Sequence, residues 1–225
     1  MRPVRTLCSL AGVCALTVGL TAVPTTAHAQ TPVLCSENAL VNAINAANAA
    51  GGDTLVLLPF CNYQITSSHG SGPAGPVGLP PITAPITVLG MGNTIGRDPN
   101  APAFRVIEVE GAANVPGTKG QLSMAGVTVR GGSAVSPYPG GGISNLGGTV
   151  SLVSSAVTGN TAVAGGGIYT DNGAVSLTTS SVTGNTAGTG GGIYVNSGGA
   201  TLLASNVSNN TPDNCAPSGS VQGCS

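Results

Sequence analysis

The stretch 165–193, GGGIYTDNGAVSLTTSSVTGNTAGTGGGI, opens and closes on the same four letters, 25 residues apart. The letters stand one interval earlier at Gly140–Ile143. Other registers keep the interval: Leu152, Leu177 and Leu202; Ser155, Ser180 and Ser205; Val157, Val182 and Val207; Asn160, Asn185 and Asn210. A period in the twenties marks a solenoid, in which each repeat buries its apolar face only against its neighbours.

The residue types say which kind. Thr149-Val150-Ser151-Leu152 and Ala174-Val175-Ser176-Leu177 alternate polar and apolar, so Val and Leu share one face of a strand. Gly, Asn, Ser and Thr fill the gaps as turn residues. Leucines are too few for a leucine-rich repeat, and helix-forming runs too short for helical repeats. The expected fold is all-β: a single-stranded, right-handed parallel β-helix with coils of about 25 residues, each stacked about 4.8 Å above the last. Asn160, Asn185 and Asn210 then form a ladder of side-chain amides at one turn.

Outward from the repeats, residues 1–29 read as a secretory signal. Arg2 and Arg5 precede an apolar run over Leu7–Leu20, and Ala27-His28-Ala29 is a cleavage site. Residues 30–225 form the expected β-helix domain, with a cap helix at 36–50, coils over 54–210 and a C-terminal cap over 211–225. Ser36 is the N-cap, Gly51-Gly52 the stop, and Leu40, Val41, Ile44 and Ala47 lie on one face. The segment Ser67–Pro81, rich in Gly, Pro and Ser, is expected to be a long surface excursion. Four cysteines remain after cleavage, and of three pairings Cys35–Cys61 and Cys215–Cys224 are favoured because each pins one end of the domain.

Without the leader the chain keeps four basic residues, Arg97, Arg105, Lys119 and Arg130, against seven acidic ones, a net charge of −3. That argues against nucleic acid, which needs a basic footprint. All four cations nonetheless fall within Arg97–Arg130. Zinc is disfavoured by the cysteine spacing and by His69 being the one histidine left. No metal or cofactor is expected, and no membrane anchor. Aligning Leu122–Arg130 with Leu152–Asn160 puts Arg130 at the ladder position. Arg97 reaches nearly the same column if the preceding coil holds a two-residue bulge.

The stretches Cys35-Ser36-Glu37-Asn38-Ala39-Leu40, Ala43-Ile44-Asn45-Ala46-Ala47-Asn48 and Gly78-Leu79-Pro80-Pro81-Ile82, with the GGGI and Val-Thr-Gly-Asn-Thr-Ala repeats, resemble secreted bacterial parallel β-helix repeat proteins. The repeats are also similar to the GGA-I and F-x-x-N repeats of polymorphic outer-membrane proteins. Among small secreted proteins of this kind, the chain is similar to bacterial hyaluronate lyases. The resemblance implies a secreted, extracellular, monomeric enzyme that cleaves hyaluronan, an acidic polysaccharide, by β-elimination.

Elimination on a uronic acid needs a group to neutralise the carboxylate, a base, and an acid for the leaving oxygen. Tyr138 with His69 is the expected acid/base pair, and Arg130 with Asn145 the expected carboxylate clamp. Arg97, Arg105, Lys119, Tyr169 and Tyr194 are the expected substrate-binding residues. Tyr169 and Tyr194 stand one repeat apart after an inward Ile, so they should point outward and stack. Hydrolysis would need two carboxylates at a defined separation. Glu108 and Glu110 share one strand face, but Asp171 and Asp213 read as belonging to distant coils. The opposing expectation is a non-catalytic wall or matrix protein that binds polysaccharide or a partner along one face. Ice binding is disfavoured, because no regular Thr-x-Thr array runs through the coils.

Overall fold

The structure is a computed structural model, and it describes residues 30–224. The expected leader, with Cys8 and Cys14, lies outside the described residues. The described residues are all-β with one helix. The chain runs β1 (Gln30–Val33), α1 (Glu37–Ala50), β2 (Asp53–Leu57), β3 (Asn62–Ile65), β4 (Gly70–Gly72), β5 (Gly75–Val77), β6 (Pro85–Arg97), β7 (Ile107–Glu110) and β8 (Gln121–Arg130). Triplets follow: β9 (Ile143–Leu146), β10 (Thr149–Val153) and β11 (Ala156–Thr158); β12 (Ile168–Asp171), β13 (Gly173–Thr178) and β14 (Ser181–Thr183); β15 (Ile193–Val195), β16 (Gly198–Leu203) and β17 (Asn206–Ser208). The short β18 (Cys215–Ala216) ends the series.

The strands form two parallel sheets and one small antiparallel hairpin, and the sheets do not close on one another. The larger runs β1-β2-β6-β8-β10-β13-β16, with β3 paired to β6 and the file β11-β14-β17 joined through β8. The smaller runs β7-β9-β12-β15-β18. The 25-residue interval is the register itself: Val150 pairs with Val175, Val157 with Val182, and Ile168 with Ile193. At these inward positions each repeat lays an identical residue over its predecessor. Ile143, Val150, Leu152 and Val157 are buried, as are Ile168, Val175, Leu177 and Val182 in the next repeat. Stacked aliphatic files of this kind are the core.

The turns hold by side-chain ladders. Asn160 Nδ2 donates to Asn185 Oδ1 at 2.9 Å, and Asn185 Nδ2 donates to Asn210 Oδ1 at 3.0 Å. The backbone N–H groups of Ser155 and Ser180 donate to the hydroxyls of Ser180 and Ser205. Ser154, Thr179 and Ala204 take positive φ at equivalent corners, a strain repeated once per repeat.

Helix α1 covers one end. Ser36 Oγ accepts from Ala39 N–H, Gly51 closes the helix at φ 79°, and Leu40, Val41, Ile44 and Ala47 face the core. The disulfides are Cys35–Cys61 and Cys215–Cys224, as expected. Among the described residues no helix is long and apolar enough to cross a membrane.

Two expectations fail. Ser67–Pro81 is not wholly a surface excursion: β4 and β5 pair, and Val77 and Leu79 are buried. Their backbone donors are satisfied by the adjoining coil, with Gly78 N–H on Arg105 O and Leu79 N–H on Val106 O. Arg130 is not at the asparagine-ladder position. Met124 pairs with Leu152 and Arg130 with Thr158, so its side chain projects outward. The two extra residues do lie between Leu89 and Asn93, where the β6–β8 register shifts.

Candidate functional site

Alternation in the smaller sheet sends Ile107, Ile143 and Ile168 inward and the next residue of each strand outward. One outward column is therefore Glu108, Ser144, Tyr169 and Tyr194. A parallel column is Glu110, Leu146 and Asp171. Tyr169 and Tyr194 stack with ring centroids 5.7 Å apart and planes 9° from parallel.

Two segments wall this face. The β4–β5 hairpin comes down on the carboxyls, so that a Cβ on Gly72 would collide with Glu108 Oε1. The loop after β8 brings the Tyr138 ring against Gly75, where a Cβ would lie 2.7 Å from ring carbons. Arg105 fastens that loop: its guanidinium donates to the carbonyls of Pro139 and Gly140. Arg105 Nε lies 3.3 Å from Glu108 Oε2, and both side chains are wholly buried. Arg105 Nε and Nη2, both Glu108 oxygens and Ser144 Oγ make no hydrogen bond of ordinary geometry. Buried polar atoms without partners are rare and costly.

Burial and the neighbouring Glu110 push the Glu108 carboxyl up to about 7, against the pull of Arg105. Burial brings Arg105 down to about 10, while Glu108 and Tyr138 work to keep it charged. An open cleft of about 360 Å³ lies over this cluster, lined by Pro73, Asn114, Tyr138, Leu146, Tyr169 and Asp171. Asp171 Oδ2 accepts from Asn114 at 2.8 Å, and Oδ1 from Asn196 at 2.9 Å and Ser197 at 2.7 Å. Burial works to raise Asp171, but these three donors outweigh it and hold the carboxyl below its usual value.

The cleft brings together Tyr138, Tyr169 and, by stacking, Tyr194, with Arg105 sealed behind them. The other expected site residues stand elsewhere. Asn145 is buried and faces inward; its Nδ2 donates to Gly148 O, Ala174 O and Thr170 Oγ1, so it braces a turn rather than meeting a substrate. His69 begins the hairpin and lies 2.7 Å from Glu37 Oε1, at the start of α1, so it does not pair with Tyr138. Glu37 also accepts from Thr66 N–H and Oγ1. Lys119 lies in a separate cleft beside Asn48 and Thr83.

Arg97 and Arg130 share a trench of about 380 Å³ with Asn62, Gln64 and Thr158. Arg97 is held by the carbonyls of Gly131, Asp98 and Ala101. Arg130 is exposed. Among the described residues no carboxylate lines this trench. The cations expected around one uronate are therefore divided between two faces.

Compared with family models, with curated proteins and with solved structures, the chain gives no match. Sequence reasoning put Glu108 and Glu110 on one strand face but missed Asp171 as sharing the column of Glu110. A signal existed in Ile107-Glu108-Val109-Glu110, where two carboxyls alternate with two inward residues.

Proposed function

We propose that the chain is an exported, right-handed parallel β-helix protein that binds polysaccharide, with the Tyr138–Tyr169 cleft as its sugar site. The winding is supported by two parallel sheets whose last repeats keep a 25-residue register, and its hand by the strong preference of parallel crossovers. Export is supported by the N-terminal leader pattern and two disulfides. The observation that carries the function is the cleft itself. Flat aromatic faces offer stacking area to pyranose rings, and Asp171 and Asn114 offer hydrogen bonds to hydroxyls.

The test is affinity electrophoresis of the oxidised protein through gels containing single polysaccharides. Retardation by at least one glycan is expected, with Tyr169→Ala weakening it about tenfold. Equal retardation of the variant would remove the cleft from the reading.

A hyaluronan lyase is the second reading, favoured by the Arg97–Arg130 trench, where a uronate meets guanidinium and no carboxylate. Tyr138 and His69, its expected acid and base, stand outside that trench. Ultraviolet absorbance from an unsaturated uronate, appearing with hyaluronan and lost in Arg130→Ala, is the outcome this reading expects.

A further inference from the structure

We infer that the Arg97–Arg130 trench is a second binding site, on a different face from the tyrosine cleft, and that it takes the sulfate ester groups of a sulfated polysaccharide. The sheet register builds it. Gln64 of β3, Gly96 of β6, Arg130 of β8 and Thr158 of β11 pair in turn and so form one outward file. The file has a gap at Gly96. A Cβ there would stand 3.0 Å from both Arg130 Cγ and Arg130 O, so the arginine stem crosses the place of the missing side chain. Arg130, Asn62 and Gln64 are exposed.

Arg97 is held more firmly. Its Nε donates to Gly131 O at 2.9 Å, and its Nη1 to Asp98 O at 3.0 Å and Ala101 O at 2.6 Å. These carbonyls fix the guanidinium plane without spending Nη2 and without balancing the charge. One cation of the trench is thus pre-set by the backbone, and the other stands on an exposed stem. Among the described residues the ion pairs are His69–Glu37 and Arg105–Glu108, and neither involves the trench. Two unbalanced cations lining one trench repel each other, and an incoming anion relieves that repulsion.

The donor set selects the anion. A carboxylate is satisfied by one guanidinium, bidentately and in one plane. Here two guanidiniums are joined by the amides of Asn62 and Gln64 and the hydroxyl of Thr158. A sulfate ester presents three terminal oxygens on a tetrahedral centre, so it meets donors from several sides. A phosphate monoester has the same shape but carries about −1.5 to −2 charges at pH 7. A chain with four basic and seven acidic residues outside its leader repels that more than the single charge of a sulfate ester. Nucleic acid fits worse, because its closely spaced phosphates call for a longer basic footprint than two arginines. A glycan suits the surroundings. The outward file runs on from Thr158 to Thr183 and Ser208, half-buried hydroxyls at strand spacing that offer hydrogen bonds to sugar hydroxyls.

The experiment uses the oxidised protein and three polymers with one backbone: dextran sulfate, carboxymethyl dextran and unmodified dextran, matched in length and substitution. Binding is measured by titration calorimetry at physiological salt. Dextran sulfate should bind at least about tenfold more tightly than carboxymethyl dextran, with no heat from dextran. Arg130→Gln should weaken dextran sulfate at least about tenfold with unchanged circular dichroism. Lys119→Gln removes the same charge from the separate cleft beside Asn48 and should leave the affinity unchanged. Equal binding of the carboxymethyl polymer overturns the sulfate assignment in favour of a uronate. Equal losses in Arg130→Gln and Lys119→Gln overturn the trench as the site, net charge alone then governing. No binding of dextran sulfate overturns the inference entirely and leaves the tyrosine cleft to its own test.

Discussion

Asn185 sits at the centre of the turn ladder. Its Oδ1 accepts from the backbone and side chain of Asn160, and its Nδ2 donates to Val157 O, Thr183 O and Asn210 Oδ1. Asn185→Ala strands the Asn160 donors in a dry turn, and should destabilise the fold by about 3–5 kcal/mol, read by denaturant unfolding. Glu108 sets a pH dependence of opposite sign to most carboxyls. Its folded value, about 7, lies above the ordinary 4.5, so its contribution is complete below about 4.5 and is lost as pH rises through 7. Glu37 and Asp171, both lowered, contribute above their ordinary values and lose that as pH falls. The melting temperature should therefore peak near pH 5, at about the ordinary carboxyl range, and Glu108→Gln should flatten the alkaline decline. The asparagine ladder was legible because its members recur at a fixed interval. Asn145 was misread, although it stands two residues after the inward Ile143 and alternation already turns it toward the core.

At the scale of the element, α1 is held by its cap, its apolar face and the Cys35–Cys61 bridge, whose partners are 26 residues apart. Cys35→Ala/Cys61→Ala should cost about 3 kcal/mol of stability, measured by denaturant unfolding beside the oxidised parent. The helix was legible because cap, stop and period agree on the same limits. Strand β1 was not, since the four residues Gln30–Val33 have little pattern and acquire their conformation by pairing with β2. The hairpin was hidden for a different reason. Gly and Pro mark a turn, but they do not say that the turn folds back over Glu108 and Glu110. The Arg130 misalignment arose because β8 to β10 steps by 28 residues, as in Leu122 with Val150, and not by a longer interval.

For the whole molecule, each repeat meets only its neighbours, so a repeat is a removable unit. Deleting 174–198 joins Gly173 to Gly199 and brings Asn160 opposite Asn210 with every inward file intact. The shortened chain should fold cooperatively with a lower melting temperature, whereas deleting 174–197 shifts every following residue by one and should give no cooperative transition by circular dichroism. The overall architecture was legible in the last third, where steps are constant. The site was not, because Ile107 to Ile143 is a step of 36 residues and Ile143 to Ile168 one of 25. Only the assembled sheet brings Glu110 and Asp171 into one file.

The chain has no tryptophan and four tyrosines. Tyr63 is sealed in the core with its hydroxyl on Val33 O, while Tyr138 and Tyr169 line the cleft and Tyr194 stacks beside them. Almost all of the ultraviolet emission that can respond to solvent thus originates at one place. A ligand entering the cleft would announce itself in the native fluorescence of the protein, with no label attached and with Tyr63 as a steady internal reference.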